Sequence, residues 1–308
     1  PNIKVFKQNL AGSPFESFDV ENGYWRDSAA NTVGGDFYAV AYYFAQKLYE
    51  ELGVPIGILN CAYSGAPIQA FISQDTLKNG AYPEEADYVS AKEPNCRNAS
   101  RLFNKMIAPI LKYPAKGILW YQGEANAKAY TKYAELQREM VENWRTYAGK
   151  SAQELPFIFA QLSAYDDGGS GNSSYYPYLR EAQYQSLSLI PNSAMVITMD
   201  VGEENDVHPK NKAPVGQRMA LSALSMAYGM DTAYKYPVVA SHTVSDGAYV
   251  LTFDNCYDGL KIKDGDSEVS GFRLCGTDGV YYEAEAEISG NTVRVTCDSV
   301  AEPVGMRY

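Results

Sequence analysis

The sequence predicts an α/β fold: a parallel sheet with helices on both faces, followed by a smaller β-rich appendage. Three observations lead there. Up to about residue 232, short apolar runs alternate with stretches whose apolar residues recur at helical spacing. Those runs are apolar at successive positions rather than at every second one, as expected for strands covered on both faces. After residue 232 the period becomes two, with Asp-Gly and Gly-Asn turn signals between short strands. Two domains are expected, 1–232 and 233–308.

The elements follow in order. Phe37, Val40, Ala41, Phe44, Leu48 and Leu52 share one face of a helix over 36–52, which Gly53 ends. PIGILNCAY is an apolar strand that stops at Ser64 and Gly65. A second helix carries Leu102, Phe103, Met106, Ile107, Ile110 and Leu111, with Pro109 bending it. ILWY is a buried strand halted by Gln122, Gly123 and Glu124, and it leads into a helix with Tyr133, Leu136, Met140 and Trp144 on one face. LPFIFAQLSAY is a further strand, YLREAQYQSLSLI a helix, AMVITMDVG a strand, and KNKAPVGQRMALSALSMAYG the last helix of the series. Gly and Ser make 165–176, YDDGGSGNSSYY, the loosest loop of the chain. No internal repeat is visible.

Composition narrows the function. The chain of 308 residues is 46% hydrophobic, enough for a sizeable core. A formal net charge of −11 leaves no basic stripe for phosphates, so neither nucleic acid nor an anionic membrane is an expected partner. No apolar run approaches the roughly 20 residues of a membrane span. The five cysteines, Cys61, Cys96, Cys256, Cys275 and Cys297, lack paired CxxC spacing, which argues for buried thiols or at most one disulfide and against a metal centre.

In an open parallel sheet, function gathers at the carboxyl ends of the strands. Four strands end there in polar groups: Tyr63-Ser64-Gly65, Gln122-Gly123-Glu124, Gln161, and Asp200 leading into VGEENDVHP. These should converge on one crevice. His208, one of only two histidines, stands two residues after Asp206. An imidazole beside a carboxylate is the base and orienter of a nucleophilic hydrolase, because the acid fixes the tautomer and stabilises the imidazolium. His242 has no such surroundings and reads as structural.

LFNKMIAPILKYPAKGILWYQGEANA, VPIGILNCAYSGAPIQAFIS and MDVGEENDVHPKNKAPVGQRMAL together resemble the sialate O-acetylesterase family, a branch of the SGNH (GDSL-type) hydrolases that is also similar to some acetylxylan esterases. The similarity runs from about residue 20 to residue 308. It implies a flavodoxin-like three-layer sandwich and removal of O-acetyl groups from a sugar or polysaccharide without metal or cofactor. It also implies secretion or a periplasmic location. Carried over by position, it makes His208 the general base and Asp206 its partner, with Asp200 as the fallback. Gln122 and the Gly65 N–H become oxyanion donors. Arg180, Gln161 and Glu124 become substrate-facing residues, and Glu124 also reads as a brace between strand ends.

One departure stands out. The family's nucleophilic serine lies in a GQSN block, and no such string occurs in this chain. We therefore expect the nucleophile to lie in a segment ahead of Pro1. The alternative is a carbohydrate-binding homologue without catalysis. Ser64, in AYSGA, replaces a glycine of the family's WGGT loop and lacks the elbow of a serine nucleophile.

Overall fold

The longer apolar runs form strands shorter than the runs themselves: PIGILNCAY enters a ladder over Ile56–Leu59 and LPFIFAQLSAY over Phe157–Ala160. The computed structural model describes residues 2–28, 37–92, 94–168, 171, 173–262 and 267–308. Contacts divide the chain into two units, Pro1–Tyr234 and Lys235–Tyr308.

The first unit contains strands β1 (Ile3–Lys7), β2 (Tyr24–Asp27), β3 (Ile56–Leu59), β4 (Ile118–Trp120), β5 (Phe157–Ala160) and β6 (Ser193–Val196). Four long helices accompany them: α1 (Ala39–Leu52), α2 (Tyr130–Ala148), α3 (Tyr176–Leu189) and α4 (Ala213–Tyr228). The parallel pairing expected from the apolar runs is present in β1–β3, β4–β5 and β5–β6. It is divided between two ladders, β2-β1-β3 and β4-β5-β6. β2 is an antiparallel edge strand whose four residues are all exposed, so no hydrophobic pattern could announce it.

One core joins the two ladders. Ile3 and Ile56 from the first, and Ile158, Ala160 and Val196 from the second, pack under Phe44, Ala45 and Leu48 of α1 and Val215, Met219, Ala220, Ala223 and Leu224 of α4. The two helices meet closely at Gly216, where a Cβ would lie 2.6 Å from the Val40 carbonyl oxygen. On the opposite face Trp120 stacks edge-on against Phe71 and Trp144, at centroid distances of 5.2 and 5.9 Å. The Trp144 indole N–H donates to the Phe71 carbonyl at 2.8 Å.

Helix α1 ends as read, with Gly53 in the left-handed region at φ 66 and its N–H donating to the Tyr49 carbonyl. Residue 36, where that helix was expected to begin, lies outside the described residues. The helix expected over Leu102–Leu111 is broken. Phe103–Ile107 forms a π turn, with the Ala108 N–H donating to Phe103 five residues back, and a 3₁₀ turn follows over Ile110–Lys112. Pro109 supplies no N–H, so the regular ladder cannot continue through it. In the loosest loop, residues 169, 170 and 172 lie outside the described residues.

Among its described residues, the second unit contains strands and no helix. A four-stranded antiparallel sheet, order β11-β12-β8-β7, uses β7 (Val238–Ser245), β8 (Ala248–Asp254), β11 (Glu285–Ser289) and β12 (Thr292–Thr296). A second sheet joins β9 (Arg273–Cys275), β10 (Tyr281–Glu283) and β13 (Gly305–Arg307). Leu251, Phe272, Leu274, Val293, Val295 and Val300 form their core. The two turn signals fall between strands, Asp278-Gly279 between β9 and β10 and Gly290-Asn291 between β11 and β12, with Gly279 and Gly290 at φ 72 and 61; a further Asp-Gly pair forms the β7–β8 turn, where Asp246 and Gly247 have φ 50 and 70, the pair of positive angles a type I′ hairpin needs.

Candidate active site

The carboxyl ends of β3 and β4 meet through one side chain. The buried Gln122 amide donates to the Ala66 carbonyl at 3.2 Å and to Asn126 Oδ1 at 2.7 Å. Its Oε1 lies 2.9 Å from the Tyr133 hydroxyl, which is also 3.1 Å from the Gln122 main-chain oxygen. Asn126 Oδ1 accepts from the Ile68 N–H, and its amide donates to Gln69 Oε1. Gln69 donates onward to Glu85, which pairs with Lys132. Gln183 of α3 closes the other side, donating to the carbonyls of Gln122 and Ala160 and accepting from the Leu162 N–H. Asn126, Gln69 and Gln183 are all at most 3% exposed, and sequence reasoning passed over them. The one available signal was Asn126 standing four residues after Gln122.

Gly65 sits at φ 65 in the loop after β3, a conformation that suits glycine. Arg97 holds this loop, donating to the Ser64 carbonyl from Nε at 3.2 Å and Nη2 at 2.7 Å, with its guanidinium over the Tyr63 ring. A Cβ at position 65 would come within 3.3 Å of that guanidinium. Among the described residues, none accepts a hydrogen bond from the Gly65 N–H. Ser64 is fixed through its main chain.

Glu124 is the electrostatic centre of the cluster. Burial, which strips solvent from the charged form, pushes its carboxyl pKa up, while hydrogen bonds from its own N–H and that of Gly123, and the charges of His208 and Lys212, act against the rise. Its negative charge in turn adds to the burial that holds the Tyr121, Tyr133 and Tyr176 hydroxyls above the usual range. Burial also lowers the Lys212 ammonium pKa, with Glu124, Asp206 and Glu203 opposing, and that ammonium lies 5.4 Å from the centroid of the Tyr121 ring. The structure thus brings Gln122, Glu124, His208 and Lys212 to one end of the sheet.

The other expected residues divide. Asp206 Oδ1 accepts from the main-chain N–H of His208 at 2.8 Å, so this carboxylate shapes the loop on which the exposed imidazole stands. Asp200 forms a two-pronged pair with Arg218, at 2.7 and 2.6 Å, which engages both its oxygens. Gln161 donates to the Arg180 carbonyl at 3.3 Å, and its own carbonyl accepts from the Thr198 hydroxyl. Arg180 Nη1 reaches the Ser163 carbonyl at 3.4 Å, and burial lowers its guanidinium pKa. Among the described residues there is no group of three His, Cys, Asp or Glu able to hold a metal ion. All five cysteines are free thiols, and burial pushes the Cys61 thiol up to about 12. No helix among the described residues is long and apolar enough to cross a membrane.

The profile of a family described as carbohydrate esterase, sialic acid-specific acetylesterase, matches residues 25–225. Sialate O-acetylesterase of Homo sapiens is 30% identical over 226 residues, which cover 67% of this chain and 43% of that protein. Sialate O-acetylesterase of Mus musculus is 28% identical over 306 residues, covering 82% and 56%. The chain therefore spans about half the length of these curated relatives. A crystal structure of a carbohydrate acetylesterase from Xanthomonas citri aligns with a TM-score of 0.86 at 34% identity, over 100% of this chain and 67% of the other.

Proposed function

The chain belongs to the carbohydrate esterase, sialic acid-specific acetylesterase family, and from that premise we propose that it removes O-acetyl groups from a sugar, with acetylated sialic acid as the first candidate and acetylated plant polysaccharide as the second. The supporting observation is the junction of Gln122 with the Gly65 loop, with Glu124 and His208 coupled at the same end of the sheet. Residues 1–232 form the catalytic domain of SGNH type, and 233–308 an accessory domain.

In this mechanism a serine Oγ from a segment outside residues 1–308 attacks the acetyl carbonyl carbon, and His208 takes its proton. The C=O electron pair moves onto oxygen, where the Gly65 N–H and one Gln122 N–H receive it. Both Gln122 N–H groups already have acceptors, so one bond must be exchanged. The longer one, at 3.2 Å to Ala66, is released. Collapse of the tetrahedral intermediate expels the sugar oxygen, which takes the proton from His208. Water then repeats the sequence on the acyl serine and yields acetate. Asp206, bonded to the main chain of His208, positions the loop that presents the imidazole.

Turnover of p-nitrophenyl acetate and of acetylated sialic acid tests the proposal in a preparation that hydrolyses both. His208→Ala should lower kcat by about 10⁴ or more, as for other hydrolases of this design. A variant with near-normal kcat ends the reading.

A further inference from the structure

Three tyrosine rings form a short stack where α2 and α3 begin. Tyr130 is the first residue of α2, Tyr175 immediately precedes α3, and Tyr178 lies in the first turn of α3. The Tyr130 ring is 5.0 Å from that of Tyr178 at an interplanar angle of 25°, and 6.4 Å from that of Tyr175 at 29°. Tyr130 and Tyr175 are half-buried, whereas Tyr178 is 57% exposed. Tyr130 therefore backs one face of the Tyr178 ring and leaves the other to solvent.

The stack stands beside the candidate site. The 3₁₀ turns of Glu124–Ala129 lead directly from Glu124 to Tyr130. Leu179, the neighbour of Tyr178, packs so tightly over Gly123 that a Cβ there would lie 2.7 Å from Leu179 Cδ2. Tyr176, between Tyr175 and Tyr178 in the chain, is near enough to Glu124 to feel its charge. The corner formed by Gln122, Gly123 and Glu124 thus continues into the three rings.

Other tyrosines of the chain are covered differently. Tyr24, Tyr63, Tyr82, Tyr121, Tyr228 and Tyr281 each have a Lys or Arg over the ring. Among the described residues no cation lies over Tyr130, Tyr175 or Tyr178. An open aromatic face of this kind accepts a flat, uncharged, apolar surface, and the C–H face of a pyranose ring is one. A nucleobase offers a similar face, but its phosphates would meet a chain of formal charge −11. Because Tyr130 already holds the Tyr178 ring from behind, little side-chain freedom is lost on binding. We propose that Tyr178, backed by Tyr130 and Tyr175, is a stacking subsite for an uncharged pyranose ring of an oligosaccharide, the neighbour of the sugar held at Gln122 and Glu124. The subsite stands on the ring geometry. That the neighbouring sugar carries the acetyl group to be removed rests on the acetylesterase reading.

Isothermal titration with xylohexaose, cellohexaose and mannohexaose tests the subsite, and hexagalacturonate serves as the charged counterpart. At least one neutral hexaose should bind at millimolar concentration or below. Tyr178→Ala should weaken that binding about 3- to 10-fold, the range expected for loss of one stacked ring. Tyr178→Phe, which keeps the face and loses the hydroxyl, should stay within about twofold of the parent. Circular dichroism melting checks that each variant is folded, as expected for changes at an exposed position. Failure of all three neutral sugars to bind, or unchanged binding by Tyr178→Ala, overturns the subsite. Equal losses in Tyr178→Phe and Tyr178→Ala also overturn it, since the contact would then belong to the hydroxyl. Tighter binding of hexagalacturonate than of the neutral sugars overturns the uncharged ligand. Binding is read without turnover. In a preparation that hydrolyses p-nitrophenyl acetate, acetyl groups left intact on a bound acetylated xylohexaose would leave the subsite standing and count against the sugar acetylesterase reading.

Discussion

Gln122→Ala is the substitution whose cost can be worked most directly from the structure. It deletes three hydrogen bonds: amide to Ala66 O at 3.2 Å, amide to Asn126 Oδ1 at 2.7 Å, and Tyr133 hydroxyl to Oε1 at 2.9 Å. Two of the three surviving groups keep another partner. Asn126 Oδ1 still accepts from the Ile68 N–H, and the Tyr133 hydroxyl still reaches the Gln122 main-chain oxygen. The penalty for an orphaned buried group therefore falls mainly on the Ala66 carbonyl. At about 1 kcal/mol per net bond, moderated by those retained partners, the loss comes to about 2–3 kcal/mol. For a unit of this size that corresponds to a fall in Tm of roughly 4–10 °C. Differential scanning fluorimetry, with urea unfolding followed by circular dichroism, measures it. A variant melting within about 1 °C of the parent would refute the idea that this amide ties the two strand ends together. In an active preparation the same change should also lower kcat by roughly 10² to 10³ through loss of an oxyanion donor. The two effects separate, because stability is read without substrate.

Three further predictions follow from the packing and the buried charges. Gly216→Ala puts a Cβ 2.6 Å from the Val40 carbonyl oxygen and 2.8 Å from the Phe44 nitrogen, so α1 and α4 must separate; a loss of about 1–3 kcal/mol in urea unfolding is expected, and an unchanged midpoint would contradict the close approach. Gln137 is fully buried, and neither of its amide atoms has a partner among the described residues, so Gln137→Met should raise stability by about 1 kcal/mol; a loss of that size would show that the amide is bonded after all. Burial raises the Glu124 carboxyl pKa, so folding favours its protonated form: that contribution to stability is complete below the unfolded carboxyl value of about 4.3 and is lost as pH rises through the folded value. The stability of the parent relative to Glu124→Gln should therefore increase as pH is lowered from 7 to 4.5, and an opposite slope in urea titrations at the two pH values rules this out.

Helices were the most legible part of the fold, because one-sided burial leaves a periodic trace. Phe44 and Leu48 on α1, and Tyr133, Leu136, Met140 and Trp144 on α2, lie buried where their spacing put them. Strand order left no such trace. The alternation of apolar runs with helices implied parallel pairing, yet nothing in it distinguishes one continuous sheet from two ladders with a cavity between them. The exposed edge strand β2 and the π turn at Phe103–Ile107 were invisible for related reasons. One has no buried face, and the other keeps the residues of a helix while changing its hydrogen bonds.

The site was legible as a place and much less so as a set of bonds. Strand-end logic picked out Gln122, Glu124 and Gly65, because polar groups after an apolar run must sit where the sheet opens. It could not show that Gln122 is held by Asn126, Tyr133 and Ala66, or that Asp200 is engaged with Arg218, since those partners lie up to 56 residues away in sequence. The network nevertheless favours the proposed chemistry. A donor aimed at a developing oxyanion is effective when it is fixed before the reaction begins. The 2.7 Å bond to Asn126 and the Tyr133 contact fix the Gln122 amide plane, so the direction of the N–H now given to Ala66 is set in advance, and a reacting oxygen that arrives along it takes the place of the Ala66 carbonyl. Asn126 then acts as a positioning residue: Asn126→Asp, which keeps the acceptor toward Gln122 and Ile68 and loses the donor toward Gln69, should preserve the oxyanion contribution better than Asn126→Leu, which removes both.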